Sequence, residues 1–234
     1  PIFEKNGFIL KLDDYMLEEI ARVQAGWLAE GRELVPISVN VSRAHFTRED
    51  LAEHVCEIVD KYNIPHNIIE LELTESHILG NNESIIALIT EIRNDGFSVA
   101  IDDFGSGLSS LSLVKDVSAN ILKIDRSLLS GNCENEKERI VLESIFAFAH
   151  RLKLTTIAEG VETREQLEFL RTCDCRLIQG FLFARPMPED QFGEACSQRI
   201  IDEYKYFSVF VYVFSLSVAF VVEPFALVGG AVRP

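Results

Sequence analysis

The sequence predicts an α/β fold, a barrel of parallel strands joined by helical crossovers, and two patterns carry that expectation. Strand-like and helix-like segments alternate along the chain with no low-complexity linker between them, as a parallel sheet with crossover helices requires. Each strand also finishes, on its C-terminal side, at a side chain able to hold a metal or move a proton: Asn40, Glu72, Asp102, Lys123, Glu159 and Gln179. Six such strands favour a (β/α) barrel over an open doubly wound sheet, although both share the periodicity.

The elements follow in order. Residues 11–30 place Leu12, Met16, Leu17, Ile20 and Val23 at helical spacing, which predicts an amphipathic helix. Residues 35–42 read as a strand. Residues 47–62 read as a helix with Thr47 as its capping candidate and Leu51, Val55, Ile58 and Val59 on one face. A strand over 67–76 precedes a helix over 83–95 that stops at Gly96. The strand 97–103 leads through a short helix to a strand over 120–127 and a helix over 135–152. Strand 155–162, helix 163–172, strand 176–183 and helix 188–200 complete the rhythm.

Composition sets bounds. An apolar fraction of 47% in 234 residues suits one domain with a substantial core. Lys and Arg number 22 against 37 Asp and Glu, a net charge of −15. That balance argues against general binding of nucleic acid or anionic lipid, so a phosphate substrate would need a metal ion as intermediary. Cysteines 56, 133, 173, 175 and 196 show neither zinc-finger spacing nor the density of a secreted scaffold, so reduced thiols are expected. No His-Glu-x-x-His pair is present.

Two end effects stand out. The chain opens on Pro1 with no signal peptide and reads as a fragment. From 206 to 222 it carries no charge and is rich in β-branched and aromatic residues. This tail, 204–234, has three readings: a membrane anchor, which is short of the usual ~20 apolar residues; an extra buried strand; or sequence with no place in the fold, which the abrupt shift in composition favours.

Strand parity sharpens the site. Ser38 with Asn40, Glu70 with Glu72, and Ser98 with Ala100 and Asp102 each share a face. The opposite faces are bulky and apolar. Asn40, Glu72, Asp102, Asp103 and Glu159 form an all-oxygen donor set, which suits Mg²⁺ or Mn²⁺. Adjacent Asp102 and Asp103 can serve two ions, about 3.5–4 Å apart in two-metal sites, with Lys123 orienting a nucleophile. Each residue also has an ordinary reading. Asp-Asp before a glycine loop is a common strand-to-turn transition, and Glu75 can complement a helix dipole. Lys123 can snorkel, and Gln179 can satisfy backbone groups. Their joint placement at the strand ends is what those readings do not predict.

The segments "SVNVS", "ELELTES", "IDDFGSG", "LKIDRS", "IAEGVET" and "QGFLFARPMP", in this order and spacing, resemble the EAL domain, the bacterial cyclic di-GMP phosphodiesterase module, over about residues 1–200. The resemblance implies a modified TIM (β/α)8-type barrel, incomplete here because the strand carrying the E-A-L motif would precede Pro1. It implies metal-dependent hydrolysis of cyclic di-GMP to linear pGpG, with the 234-residue fragment weak or inactive. Asn40, Glu72 and Asp102 would hold one Mg²⁺ or Mn²⁺ ion, and Asp102, Asp103 and Glu159 the second. Lys123 would position the attacking water, Gln179 would line the substrate pocket, and Glu75 would anchor the mobile loop 104–110. Leu108 stands where many members carry an aromatic residue. A homodimer, a cytoplasmic location and an upstream sensory or GGDEF-type domain are further implications. The alternatives are a catalytically silent EAL-type module that binds the dinucleotide or a protein, and an unrelated Mg²⁺-dependent barrel lyase. Silent members lose ligands, whereas here every ligand within the covered span is present.

Overall fold

The computed structural model describes residues 6–32, 34–78, 82–107, 111–129, 135–189, 191–192, 208–215 and 218–222. The chain divides into two compact units, and the division falls within one strand. The first unit holds Pro1–Asp102 and Ser110–Asn120, the second Asp103–Ser109 and Ile121–Pro234.

In the first unit, helix α1 (Phe8–Ala29) leads to β1 (Ile37–Asn40), a 3-10 turn (Arg43–Thr47) and α2 (Leu51–Asp60). Then come β2 (Ile69–Thr74), the one-turn α3 (Glu75–Ile78), α4 (Asn82–Asn94), β3 (Ser98–Phe104) and α5 (Leu111–Asp116). Strands β1, β2 and β3 are parallel, with Ile37 opposite Ile69, Asn40 opposite Glu72 and Thr74 opposite Asp102. Met16, Leu17 and Ile20 of α1 are buried, as are Leu51, Val55, Ile58 and Val59 of α2. α1 packs on β1 and on α2, which is where the expected apolar stripes point.

Helix α2 begins later than the sequence predicts. Thr47 closes the 3-10 turn instead of capping, and its hydroxyl donates to the Ala44 carbonyl at 2.8 Å. Asp50 stands at the N-cap position. Gly96, with φ +98°, ends the turn that follows α4, as expected.

The second unit contains β4 (Ile121–Ile124), a 3-10 turn (Arg126–Leu128), α6 (Glu136–Arg151), β5 (Thr155–Ala158), α7 (Arg164–Thr172) and β6 (Leu177–Gln179). β4, β5 and β6 are parallel neighbours. Helix α6 starts at Asn135, whose side chain accepts from the Lys137 amide. Helix α7 starts on a reciprocal capping box between Thr163 and Gln166. The expected strand 176–183 is only three residues long, because Gly180 opens a turn closed by the Phe183 amide on the Gly180 carbonyl at 3.2 Å. The helix expected over 188–200 lies largely outside the described residues.

The apolar tail forms β7 (Ser208–Ser215), parallel to β6, and β8 (Val218–Val222), antiparallel to β7. No helix among the described residues is long and apolar enough to cross a membrane.

Candidate active site

In the first unit the parallel register lays polar residues in rows. Ser38, Glu70 and Ser98 form one row, Asn40, Glu72 and Ala100 the next, and Thr74 and Asp102 the one above. Aligned residues of parallel strands share a face, so the faces expected from parity hold. The Ser38 hydroxyl donates to Glu70 Oε1 at 2.9 Å, a buried contact. Glu70 and Glu72 are each 2% exposed and Asp102 is 9% exposed, whereas Asn40 ends β1 in the open. Carboxylates are held below the surface only where cations or donors face them. Oxygen donors of this kind suit a divalent cation. Glu75, buried at the start of α3, follows directly on β2.

A residue not singled out from the sequence supports this row. Asp13 of α1 accepts the Ser42 backbone amide at 3.0 Å, which fixes the chain two residues beyond Asn40. His45 Nε2 stands 3.4 Å from the same carboxylate, with its ring buried. The acidic pair Asp13-Asp14 inside an otherwise apolar helix face was the available signal. Its partner lies 29 residues away, and no spacing rule links them.

The second unit brings together Asp103, Lys123, Glu159 and Gln179. Lys123 is opposite Ile157, and Ile124 opposite Ala158. The Glu159 amide donates to the Ile124 carbonyl at 3.0 Å, which seats Glu159 at the end of β5 beside Lys123. The Lys123 ammonium lies 2.6 Å from Glu159 Oε1, with its side chain 1% exposed. A snorkelling lysine would put its charge in water, so that ordinary reading is set aside.

Asp103 has φ +56°, a left-handed backbone that Asp adopts more readily than most residues. It breaks the alternation of β3, and a carboxylate oxygen of Asp103 comes within 4.8 Å of one from Glu159. Gln179 is fully buried, and neither of its amide atoms has a hydrogen-bond partner among the described residues. Its carbonyl accepts from the Val161 amide at 3.1 Å, so the backbone is satisfied without the side chain. An orphaned buried amide is costly unless something else meets it, which argues for a ligand-facing role over a local one. Leu108 and part of the loop 104–110 lie outside the described residues.

Parallel strands with helical crossovers, carboxylates at the strand ends and a buried lysine paired with one of them make this an α/β domain with oxygen donors at its strand ends. The EAL domain family model matches residues 1–186, and the chain belongs to the EAL domain family. It is 36% identical over 185 residues to cyclic di-GMP phosphodiesterase NbdA of Pseudomonas aeruginosa, covering 79% of this chain and 24% of that protein. The solved structure of PaMucR phosphodiesterase in complex with c-di-GMP superposes with a TM-score of 0.76 at 33% identity, over 82% of this chain and 78% of that one. A manganese and cyclic di-GMP complex of Klebsiella pneumoniae BlrP1 at pH 9.0 matches with a TM-score of 0.64 at 27% identity, over 72% and 43% of the two chains. The fold is therefore the TIM-barrel-like fold of EAL domains, and the chain spans about a quarter of the length of the curated relative NbdA.

Proposed function

We propose that this domain hydrolyses cyclic di-GMP to linear pGpG with the help of two divalent ions, Mg²⁺ or Mn²⁺. The observation that carries the reading is the buried Lys123–Glu159 pair, 2.6 Å apart, next to the Asp103 carboxylate. The donor chemistry fits hard cations, since the candidate ligands are all oxygen. Asn40, Glu72 and Asp102 would hold one ion, and Asp102, Asp103 and Glu159 the other. Bound ions would supply charge neutralisation for an in-line displacement at phosphorus.

The chain's own residues supply the rest. Lys123, held against Glu159 in the interior, would orient the attacking water toward phosphorus with its N–H donors. Its fixed position means no reorganisation is needed as negative charge grows in the transition state. The Gln179 amide, with a donor and an acceptor to offer, binds polar groups of the dinucleotide. Glu75 anchors the loop 104–110. In this reading the domain works in the cytoplasm as a homodimer, under an upstream sensory or GGDEF-type domain.

The test is hydrolysis of cyclic di-GMP with saturating Mn²⁺, followed as pGpG by chromatography. It uses the chain extended upstream through a family E-A-L strand. Asp102→Asn should lower turnover by about 100-fold or more, because both ions lose a shared ligand. Retention of more than about a tenth of wild-type turnover would defeat the bridging role.

A further inference from the structure

The Arg126–Leu128 turn lies between the two strand ends that carry Asp103 and Glu159, and both backbones press directly on it. On one side stands Gly105, with φ +99°. A β-carbon there would fall 2.1 Å from Leu128 Cδ1 and 2.6 Å from Leu128 Cγ. On the other side stands Gly160, with φ +65°, where a β-carbon would fall 2.4 Å from Arg126 Cβ. Gly105 follows Asp103 by two residues, and Gly160 follows Glu159 directly.

The turn is itself well fixed. The Asp125 side chain accepts from the Ser127 amide at 2.9 Å, and the Leu128 amide donates to the Asp125 carbonyl at 3.1 Å. The Asp125 amide donates to the Phe104 carbonyl at 3.0 Å, tying the turn to the end of β3. From the other direction, Gln166 Nε2 donates to the Leu129 carbonyl at 3.1 Å. Gln166 also accepts from the Glu162 and Thr163 amides, three and four residues after Glu159. A rigid piece therefore sits between two chain segments, each of which carries one carboxylate of the acidic pair.

We infer that the Arg126–Leu128 turn is a spacer that sets the separation of the Asp103 and Glu159 carboxylates, with Arg126 and Leu128 acting as positioning residues for a shared divalent cation. The inference rests on the metal reading above and adds the element that tunes it. Mg²⁺ takes its ligands at about 2.0–2.1 Å and tolerates little distortion, so a carboxylate displaced by the width of a methyl group is a poor ligand. The Asp103 side is held by the Ser106 amide on the Asp103 carbonyl at 3.1 Å, and the Glu159 side by its own amide on Ile124. Neither can absorb a shift of the turn without moving its carboxylate.

The experiment measures Mn²⁺ binding to the 234-residue chain from the loss of the free-ion EPR signal, with circular dichroism checking the fold. Gly160→Ala should weaken binding about tenfold or more, as outer-sphere changes commonly do. Adding Arg126→Gly should bring binding back to within about threefold of wild type, because the opposing β-carbon is gone. Adding Arg126→Ala should not, because that β-carbon remains. The cost of alanine at positive φ is common to all three variants and cancels in the comparison. If Gly160→Ala fails to fold, Leu128→Ala decides, since it thins the spacer without adding atoms. It should weaken binding severalfold with the fold intact. Wild-type affinity in both Gly160→Ala and Leu128→Ala, or equal rescue by the two Arg126 changes, overturns the spacer and leaves the metal reading standing. No Mn²⁺ binding by the wild-type chain overturns the metal reading, and the spacer with it.

Discussion

Cys175 has no exposed surface, and burial pushes its thiol up to about 12. In the unfolded chain the same thiol ionises near 9, the ordinary value. The folded value is the higher one, so the stability linked to this group is fully present below about pH 9. It is lost as pH rises toward 12, because only the unfolded state gives up the proton. Thermal midpoints should therefore fall across that alkaline window, and Cys175→Ala should flatten the fall; an equal slope in the variant would remove Cys175 from the account. At this scale the position of most candidate residues on the strands was legible beforehand. Asn40, Glu72, Asp102, Lys123 and Gln179 lie in or at the end of strands, and Glu159 directly follows one, where period-two alternation can be read from sequence. Asp103 was named as a ligand, but its left-handed backbone was not foreseeable from pattern. The Asp13 contact to Ser42 was hidden because it joins residues far apart in the chain.

Among the elements, helix α7 depends most visibly on its first turn. Thr163 accepts from the Gln166 amide at 3.2 Å, and Gln166 Oε1 accepts from the Thr163 amide at 3.0 Å. Thr163→Ala should cost about 1 kcal/mol, read from denaturant midpoints. Because Gln166 also holds Leu129, the change should loosen the β4 turn as well. A cost below about 0.3 kcal/mol would mean solvent satisfies those amides equally well. The order of strands and helices was plain from hydrophobic periodicity. Boundaries were less so: β6 is cut short by the turn at Gly180, and α2 is delayed by the 3-10 turn at Arg43–Thr47. In both places local hydrogen bonding between nearby backbone groups outweighs an apolar pattern that would allow the element to continue.

At the level of the whole molecule, the tail is the feature that composition left among three readings. Its uncharged run looked foreign to the domain, yet Leu177 pairs with Ser208 and Gln179 with Phe210 in a parallel ladder. Deleting 204–234 would leave that edge of β6 unpaired, next to the buried Gln179 side chain. The thermal midpoint should drop by several degrees, about what the loss of 1–2 kcal/mol produces in a domain of this size. An unchanged midpoint with improved solubility would instead mark the tail as dispensable.

The left-handed backbone at Asp103 has a consequence for how this lineage can change. Asparagine and glycine are the residues that occupy such a conformation most cheaply. In the genetic code both lie one nucleotide from aspartate. A single base change at this codon can therefore erase a carboxylate while the protein still folds. Random drift then supplies well-folded descendants that differ from their parent in this one charge.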